Sequence, residues 1–446
     1  EGIKNVVTGS GNTTEGVKNL INGSGNTTEG TKNLITGSDN LTIGRKNSVT
    51  GSDNTVDGYK NIVTGLGNKA TGIKNSVTGM LNKATGAENQ VIGLGNKAVG
   101  DNNKVVGMRS GAIGDENIVS GIRNIATGDN NNVTGADNKV IGDNNQVSGK
   151  DNLALGDKAT IKGENNTVTG KLNNVTGKDN YVAGRANTNT GNNNITDGLY
   201  NKVKGNYNIT SGKNNIIKGN NSTSYGRNNE INAIDGIAVG NENKVDGKES
   251  AIFGIGNTVK GSSSTVVGYR NTVIGSNSGA FGDPNIVRGN GSYAYGNDNT
   301  IIGSGSHAIG NRNRVNGNNN FAFGNDTSFK AGVSNSVAIG NGSVVTTSNE
   351  VSIGSDTIKR RLTNIGDGEL SATSTDAVTG KQLFNAMKDS GAGGVQTLRK
   401  EVDHKIDEIQ NEVSDIRSEV THVGSLSAAL AGLHPMQYDP KAPAQV

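Results

Sequence analysis

Gly65-Leu-Gly-Asn-Lys-Ala-Thr-Gly72-Ile-Lys-Asn-Ser-Val-Thr-Gly79 holds two copies of the unit that decides the fold. Glycine returns every seven residues, Asn stands three places after it, and Ala or Val stands five places after it. From Gly2 to Gly324 the glycine never fails except at Ala233. One short backbone unit is therefore copied many times, and each copy needs a conformation that a residue without Cβ adopts cheaply. The third position is Asn at 37 of 46 sites from Asn5 to Asn320, the exceptions being seven Ser, Ala159 and Gly236, so a polar side chain belongs to the unit as firmly as the glycine does. Alternate residues of a strand share a face, which puts the third and fifth positions inside and the fourth and sixth outside. The pattern predicts a solenoid of short strands.

The coil is twice the glycine period. Ala70, Ala84, Ala98, Ala112 and Ala126 lie fourteen apart with Val77, Val91, Val105 and Val119 between them, and the same phase returns at Ala280, Ala294, Ala308 and Ala322. Two kinds of strand thus alternate around each coil. About 24 coils in the first 345 residues give a shaft about 115 Å long at ~4.8 Å per stacked strand. An interior of Asn, Val and Ala is thin, so stacked Asn side chains are expected to satisfy backbone groups at the turns.

Composition narrows the class. With 68 Gly, 4 Pro and 31% hydrophobic residues, 446 residues cannot build ordinary globular domains. Phase-locked apolar positions argue against disorder over the first three quarters. The 43 basic and 40 acidic residues leave a net charge of +3, and the basic residues are scattered, so the footprint of a nucleic-acid binder is absent. Zero Cys removes disulfides and thiolate chemistry. No secretion signal opens the sequence and no run of eighteen apolar residues occurs, so a soluble piece of something longer is expected.

Outward positions differ between the two strand types. Near the end of the shaft the Ala rows carry Phe281, Tyr293, Tyr295, Ile309, Phe321 and Phe323, whereas Val rows carry Lys260, Arg288, Arg314 and Asn316. An apolar stripe on a rod calls for a cover, and closed self-association is the expected one, with ligand contact the alternative. At the first turn position Leu66, Met80, Leu94, Met108 and Ile122 repeat at fourteen, either as a subunit contact or as a docking strip for a receptor. Tyr59, Tyr200, Tyr207 and Tyr269 at other turn positions are further receptor-contact candidates.

The period breaks after Gly324, with a two-residue expansion between Asn325 and Val333 before the marker returns at Gly340. A basic cluster, Lys359-Arg360-Arg361, follows. Val395, Leu398, Val402, Ile406, Ile409, Val413, Ile416, Val420 and Val423 then step by three and four, the seam of a coiled coil. Gly391, Gly393 and Gly394 before it predict a flexible joint.

Asn335-Ser-Val-Ala-Ile-Gly340 resembles the head repeat of the trimeric autotransporter adhesins, the YadA-like family. Arg360-Arg-Leu-Thr-Asn364-Ile and Thr375-Asp376-Ala-Val, with Gln382-Leu383, resemble that family's neck, and Ala428 to Pro440 resembles the start of its membrane anchor. Head, neck, stalk and anchor in this order cover essentially the whole chain. The resemblance implies an all-β solenoid head, a left-handed parallel β-roll in each of three chains, then an α-helical coiled-coil stalk, with a C-terminal barrel in the bacterial outer membrane that this sequence lacks. Residues 1–340 are expected as head, 341–388 as neck with Arg360, Arg361, Asn364 and Asp376, 389–426 as linker and stalk, and 427–446 as the start of the anchor. Most repeats here read Asn-x-Val-x-Gly, so the head departs from the family's usual Ser-Val-Ala-Ile-Gly. The long Asn-rich head is most similar to that of a member binding CEACAM-type receptors.

These features predict a homotrimer, bound to a host cell-surface glycoprotein, CEACAM-type or other. A matrix protein or a biofilm partner is the alternative. Trimer-interface candidates are Phe281, Tyr295, Ile309, Phe321 and Phe323 in the head and Ile406, Ile409, Val413, Ile416 and Val420 in the stalk. His307, His404, His422 and His434 have no nucleophile placed beside them, so no catalytic residue, cofactor or metal site is expected. Thr50, Thr64 and Thr78 form a single-row ladder, which makes an ice-binding rod the remote rival.

Overall fold

The computed structural model describes residues 4–432, and two compact units divide it between Arg360 and Arg361. The first unit is a parallel β-roll of two sheets, each of 25 short strands. Successive coils stack fourteen residues apart, Ala70 on Ala84 in one sheet and Val77 on Val91 in the other. At ~4.8 Å per coil the roll is about 120 Å long.

The second residue of nearly every strand points inward. One sheet, the aliphatic sheet, contributes Val or Ile on most coils, such as Val63, Val77, Ile161 and Ile301, all buried. Its opposite, the small-residue sheet, contributes Ala, Thr, Ser or Val, such as Ala70, Thr42, Ser224 and Val168. A large row against a small row keeps the interior filled while the two sheets stay close.

Glycine and Asn act as a single device. Gly65 has φ +124°, and a Cβ on it would lie 1.9 Å from the carbonyl oxygen of Gly79 in the next coil. That carbonyl is not left bare, because Asn68 Nδ2 donates to it at 2.8 Å. Asn68 Oδ1 in turn accepts the backbone N–H of Asn82 at 3.0 Å and its Nδ2–H at 3.1 Å. Each amide therefore ties its own coil to the next, satisfying buried backbone groups that neither sheet reaches. The second turn residue is left-handed on nearly every coil, as at Lys74 with φ 56° and Leu81 with φ 58°.

From Ser222 onward the device changes at one of the two corners. Ser replaces Asn at Ser250, Ser264, Ser278, Ser292 and Ser306, and Ser264 Oγ donates to Gly275 O at 2.8 Å while accepting the N–H of Ser278 at 3.2 Å. The arm is one bond shorter, so the corner draws in. Gly219, Gly247, Gly261, Gly275 and Gly289 leave the left-handed region there, as does the one non-glycine of the series, Ala233. A Cβ on Gly261 would still lie 1.9 Å from Gly275 O, so the relaxed φ alone does not admit Ala233; its methyl lies beside Gly236, which stands where other coils carry Asn or Ser.

The two-residue expansion falls just after Phe329. Ser328 still pairs with Arg314 fourteen back, whereas Phe321 pairs with Val337 sixteen on. Phe329 and Val333 are buried and fill the widened coil. Strand pairing continues past Gly340 to Val351–Ser352. There Arg360 closes the base, its Nη1 donating to Ile353 O at 2.6 Å and Ser343 Oγ at 3.0 Å and its Nη2 to Asn341 O.

The second unit centres on one helix, Gly380–Ala431, started by a capping box in which Thr379 and Gln382 satisfy each other's backbone. Gly391, Gly393 and Gly394, expected as a flexible joint, lie inside this helix. Residues 433–446, with His434 and most of the anchor-like tail, lie outside the described residues.

Candidate functional site

Backbone register turns sequence positions fourteen apart into columns, so each candidate surface is a column or a pair of them. On the outer face of the small-residue sheet Phe281 stacks on Tyr295 with centroids 4.8 Å apart, and His307 lies between Tyr293 at 5.6 Å and Phe321 at 4.8 Å. Tyr295, Ile309 and Phe323 expose between 42% and 45% of their surface, and Phe253 and Ile339 extend the band. His307 Nδ1 is buried with no hydrogen-bond partner among the described residues. Over the same coils the aliphatic sheet mixes Lys244, Lys260, Arg288 and Arg314 with exposed Ile274, Ile286 and Ile302. The lower coils thus carry an aromatic band on one flank and a mixed charged and aliphatic face on the other.

Leu66, Met80, Leu94, Met108 and Ile122 are register partners on five consecutive coils and make a continuous ridge at one corner, exposed except at half-buried Leu94. The tyrosine candidates do not converge. Tyr59 sits among Arg45, Lys46 and Lys60, with the Lys60 ammonium 5.1 Å from its ring. Tyr269, under Arg270 at 4.7 Å, is fifteen coils away on the same corner. Tyr200 and Tyr207 stand on opposite corners, both with left-handed backbone.

Ile406, Ile409, Val413, Ile416 and Val420 are exposed along the helix, the row that a coiled-coil partner would cover. In the stretch expected as the neck, Asp376 Oδ2 accepts the N–H of Glu369 at 3.0 Å, and Asn364 takes a left-handed φ of 62°. Arg361 is exposed, whereas Arg360 is the closing residue described above.

Charge columns escaped the linear reading. Lys18, Lys32, Lys46, Lys60 and Lys74 look scattered in sequence, yet each is the second residue after a glycine of one corner, and those glycines pair coil on coil. Lower on this corner Asp101, Asp115, Asp129 and Asp143 stack one turn position earlier, as the first residue after each glycine. Each passes its backbone N–H to the Oδ1 of the next, at 2.7 Å from Asp101 to Asp115. The fourteen-residue count already applied to Ala and Val would have found both columns.

A hollow lies at the base of the roll between Val344, Glu350, Ile353, Ile358 and Arg360. Among the described residues no group of three or more His, Cys, Asp or Glu could hold a metal ion, and no helix is long and apolar enough to cross a membrane.

Residues 1–93, 70–163 and 142–233 match the family model described as the grass antifreeze beta roll, together more than half of the chain. Residues 361–403 match the model of the coiled stalk of trimeric autotransporter adhesin. Among solved structures the collagen-binding domain of the Yersinia adhesin YadA is 25% identical, covering 36% of this chain and 86% of that one at a TM-score of 0.30, a likeness too loose to carry weight. No curated protein matches significantly. The chain thus belongs, through its shaft, to the family described as the grass antifreeze beta roll, a membership of fold, and its residues 361–403 are similar to the coiled stalk of trimeric autotransporter adhesins.

Proposed function

We infer that the protein is a bacterial surface adhesin in which three β-rolls, gathered by the coiled coil, project from the outer membrane and bind host molecules along their flanks. The observation that carries this is the order of parts: a roll with an exposed aromatic band on one flank, followed by residues 361–403, which match an adhesin stalk and run into the helix. Phe281, Tyr295, Ile309, Phe321 and Phe323 then face the other subunits together with Ile406, Ile409, Val413, Ile416 and Val420. The opposite flank and the corners remain for the receptor. Modest affinity per site suffices, because three equal faces and many rods per cell multiply it.

The test is sedimentation equilibrium followed by a binding screen of the protein against host glycoproteins, CEACAM-type receptors among them, and matrix proteins. A trimer that captures one of these supports the reading, and a stable monomer overturns it. Replacing Met80 and Leu94 with Glu assigns the corner ridge. Loss of the trimer makes it an interface, and loss of capture with the trimer intact makes it the receptor contact. The match to an antifreeze roll is one of fold, and the single Thr row at Thr50, Thr64 and Thr78 is too narrow to favour ice.

A further inference from the structure

The corner that carries the lysine column carries its charges in blocks, and the blocks complement each other. Lys18, Lys32, Lys46, Lys60 and Lys74 are exposed on consecutive coils, and only Lys74 has an ion-pair partner among the described residues, Glu88 at 2.7 Å on the coil below. Glu88 is where the sign turns. From the next coil the adjacent turn position, the first after each glycine, carries Asp101, Asp115, Asp129 and Asp143 down the same corner, all exposed. Each spends Oδ1 on the backbone of the coil before it, which holds the column together against repulsion between like charges. The second carboxylate oxygen of each has no partner in the shaft.

Columns of like charge at ~4.8 Å spacing repel along their length and are relieved by a column of opposite sign at the same pitch. A second copy of this corner offers one. Turned end for end about a two-fold axis between Lys74 and Glu88, Lys60 of one copy comes level with Asp101 of the other, Lys46 with Asp115, Lys32 with Asp129 and Lys18 with Asp143. The axis makes every pairing twice. No other register does as well: a second basic run starts at Lys158 and Lys171, but Lys158 stands beside Asp157 on the same coil, Lys171 lies 3.8 Å from Asp157 within the shaft, and Leu199 interrupts the run.

We propose that this corner is a self-recognition edge through which two copies of the protein pair antiparallel, basic block against acidic block. Each exposed ion pair is weak and screened by salt, so the pairing forms by adding many contacts and comes apart readily. The lysine column alone would also suit a linear polyanion, but the acidic block directly below it repels a long one. The edge needs no host receptor. If the shafts project from a surface as an adhesin's do, antiparallel partners come from facing surfaces.

Light scattering and sedimentation velocity on the whole protein test this at low salt and at about 0.5 M salt, where charges are screened beyond ~4 Å. The wild type should associate beyond its high-salt particle, and salt should reverse it. Lys18→Glu/Lys32→Glu/Lys46→Glu/Lys60→Glu should weaken association at least tenfold; Glu already occupies this turn position at Glu88 with φ 55°. Asp101→Asn/Asp115→Asn/Asp129→Asn/Asp143→Asn should do the same while keeping the Oδ1 acceptors. An equimolar mixture of the two variants should recover part of the association, since the lysines of the second still meet the aspartates of the first. Unchanged association in either variant, or no recovery on mixing, overturns the proposal. So does a wild type that binds heparin through the lysine column and never pairs.

Discussion

The coils above Ser222 and those from Ser222 to Ser306 share both sheets and the same period, but they turn one corner differently. Above, Asn124 Nδ2 reaches Gly135 O at 2.8 Å, and Gly121 three residues before it sits at φ +108°. Below, Ser264 Oγ makes the equivalent bond at 2.8 Å, and Gly261 has left the left-handed region. Bond length is conserved while the arm shortens, so the backbone moves to meet the side chain. A single Ser does not achieve this: Ser110, alone among Asn neighbours, bonds Gly121 O at a longer 3.2 Å, and Gly107 keeps φ +135°. The turn is thus set by a run of coils, because each corner must stack on the next.

The largest expected effect breaks this contrast directly. Gly121→Ala would put a Cβ 1.9 Å from Gly135 O in a left-handed turn, at a cost of about 4 kcal/mol or more in urea denaturation. Ala233→Gly, in the tightened corner, should cost under about 1 kcal/mol, a chain-entropy effect alone.

Next in size is the amide itself. Asn138→Ala strips Gly149 O and the Asn152 N–H of their partners and should cost about 3 kcal/mol. Asn138→Ser, with the longer bonds seen at Ser110, should cost about 1 kcal/mol.

A smaller effect concerns the interior. Two apolar clusters, from Ile21 to Val182 and from Ile217 to Val345, are separated by the coils of Asn189, Thr196 and Thr210. Asn189 Nδ2 donates to Thr196 Oγ1 at 3.3 Å, while Thr210 Oγ1 has no partner. Hydrogen exchange should find the weakest middle amides here. Asn189→Val with Thr196→Val should slow that exchange while shifting global stability by no more than about 1 kcal/mol.

The smallest effect is at the base. The N–H of Thr347, with that of Thr346, holds the Glu350 carboxyl below its usual range against the opposing pull of burial. A lowered carboxyl stabilises above the ordinary carboxylate range and loses that contribution as pH falls through its own lower value. Amide exchange at Thr346 and Thr347 should therefore rise in acid, and Glu350→Gln should remove the pH dependence.

Periodicity made the roll readable. Val77 and Ala70 could be assigned inward and Asn68 to the backbone, because their phases repeat and a strand has only two faces. What stayed hidden depends on a run rather than a residue, as with the corner that tightens only where Ser follows Ser. The joint at Gly391 to Gly394 was misread for a related reason. Glycine costs a helix about 1 kcal/mol each, and a long helix with a sound capping box absorbs that locally. Among the surfaces, the aromatic column at Phe281 and Tyr295 was readable because both residues are bulky and close in sequence. The lysine column was not, since charge was judged along the chain instead of down the corner.

The stacking of Gly79 on Gly65 also limits how the gene can change length. Removing fourteen residues between equivalent glycines deletes one coil and leaves every column above and below in line. Removing seven would carry the Val row into the small-residue sheet and move Lys60 to the corner of Leu66. The roll can therefore be lengthened or shortened like a ruler, but only in steps of two glycines.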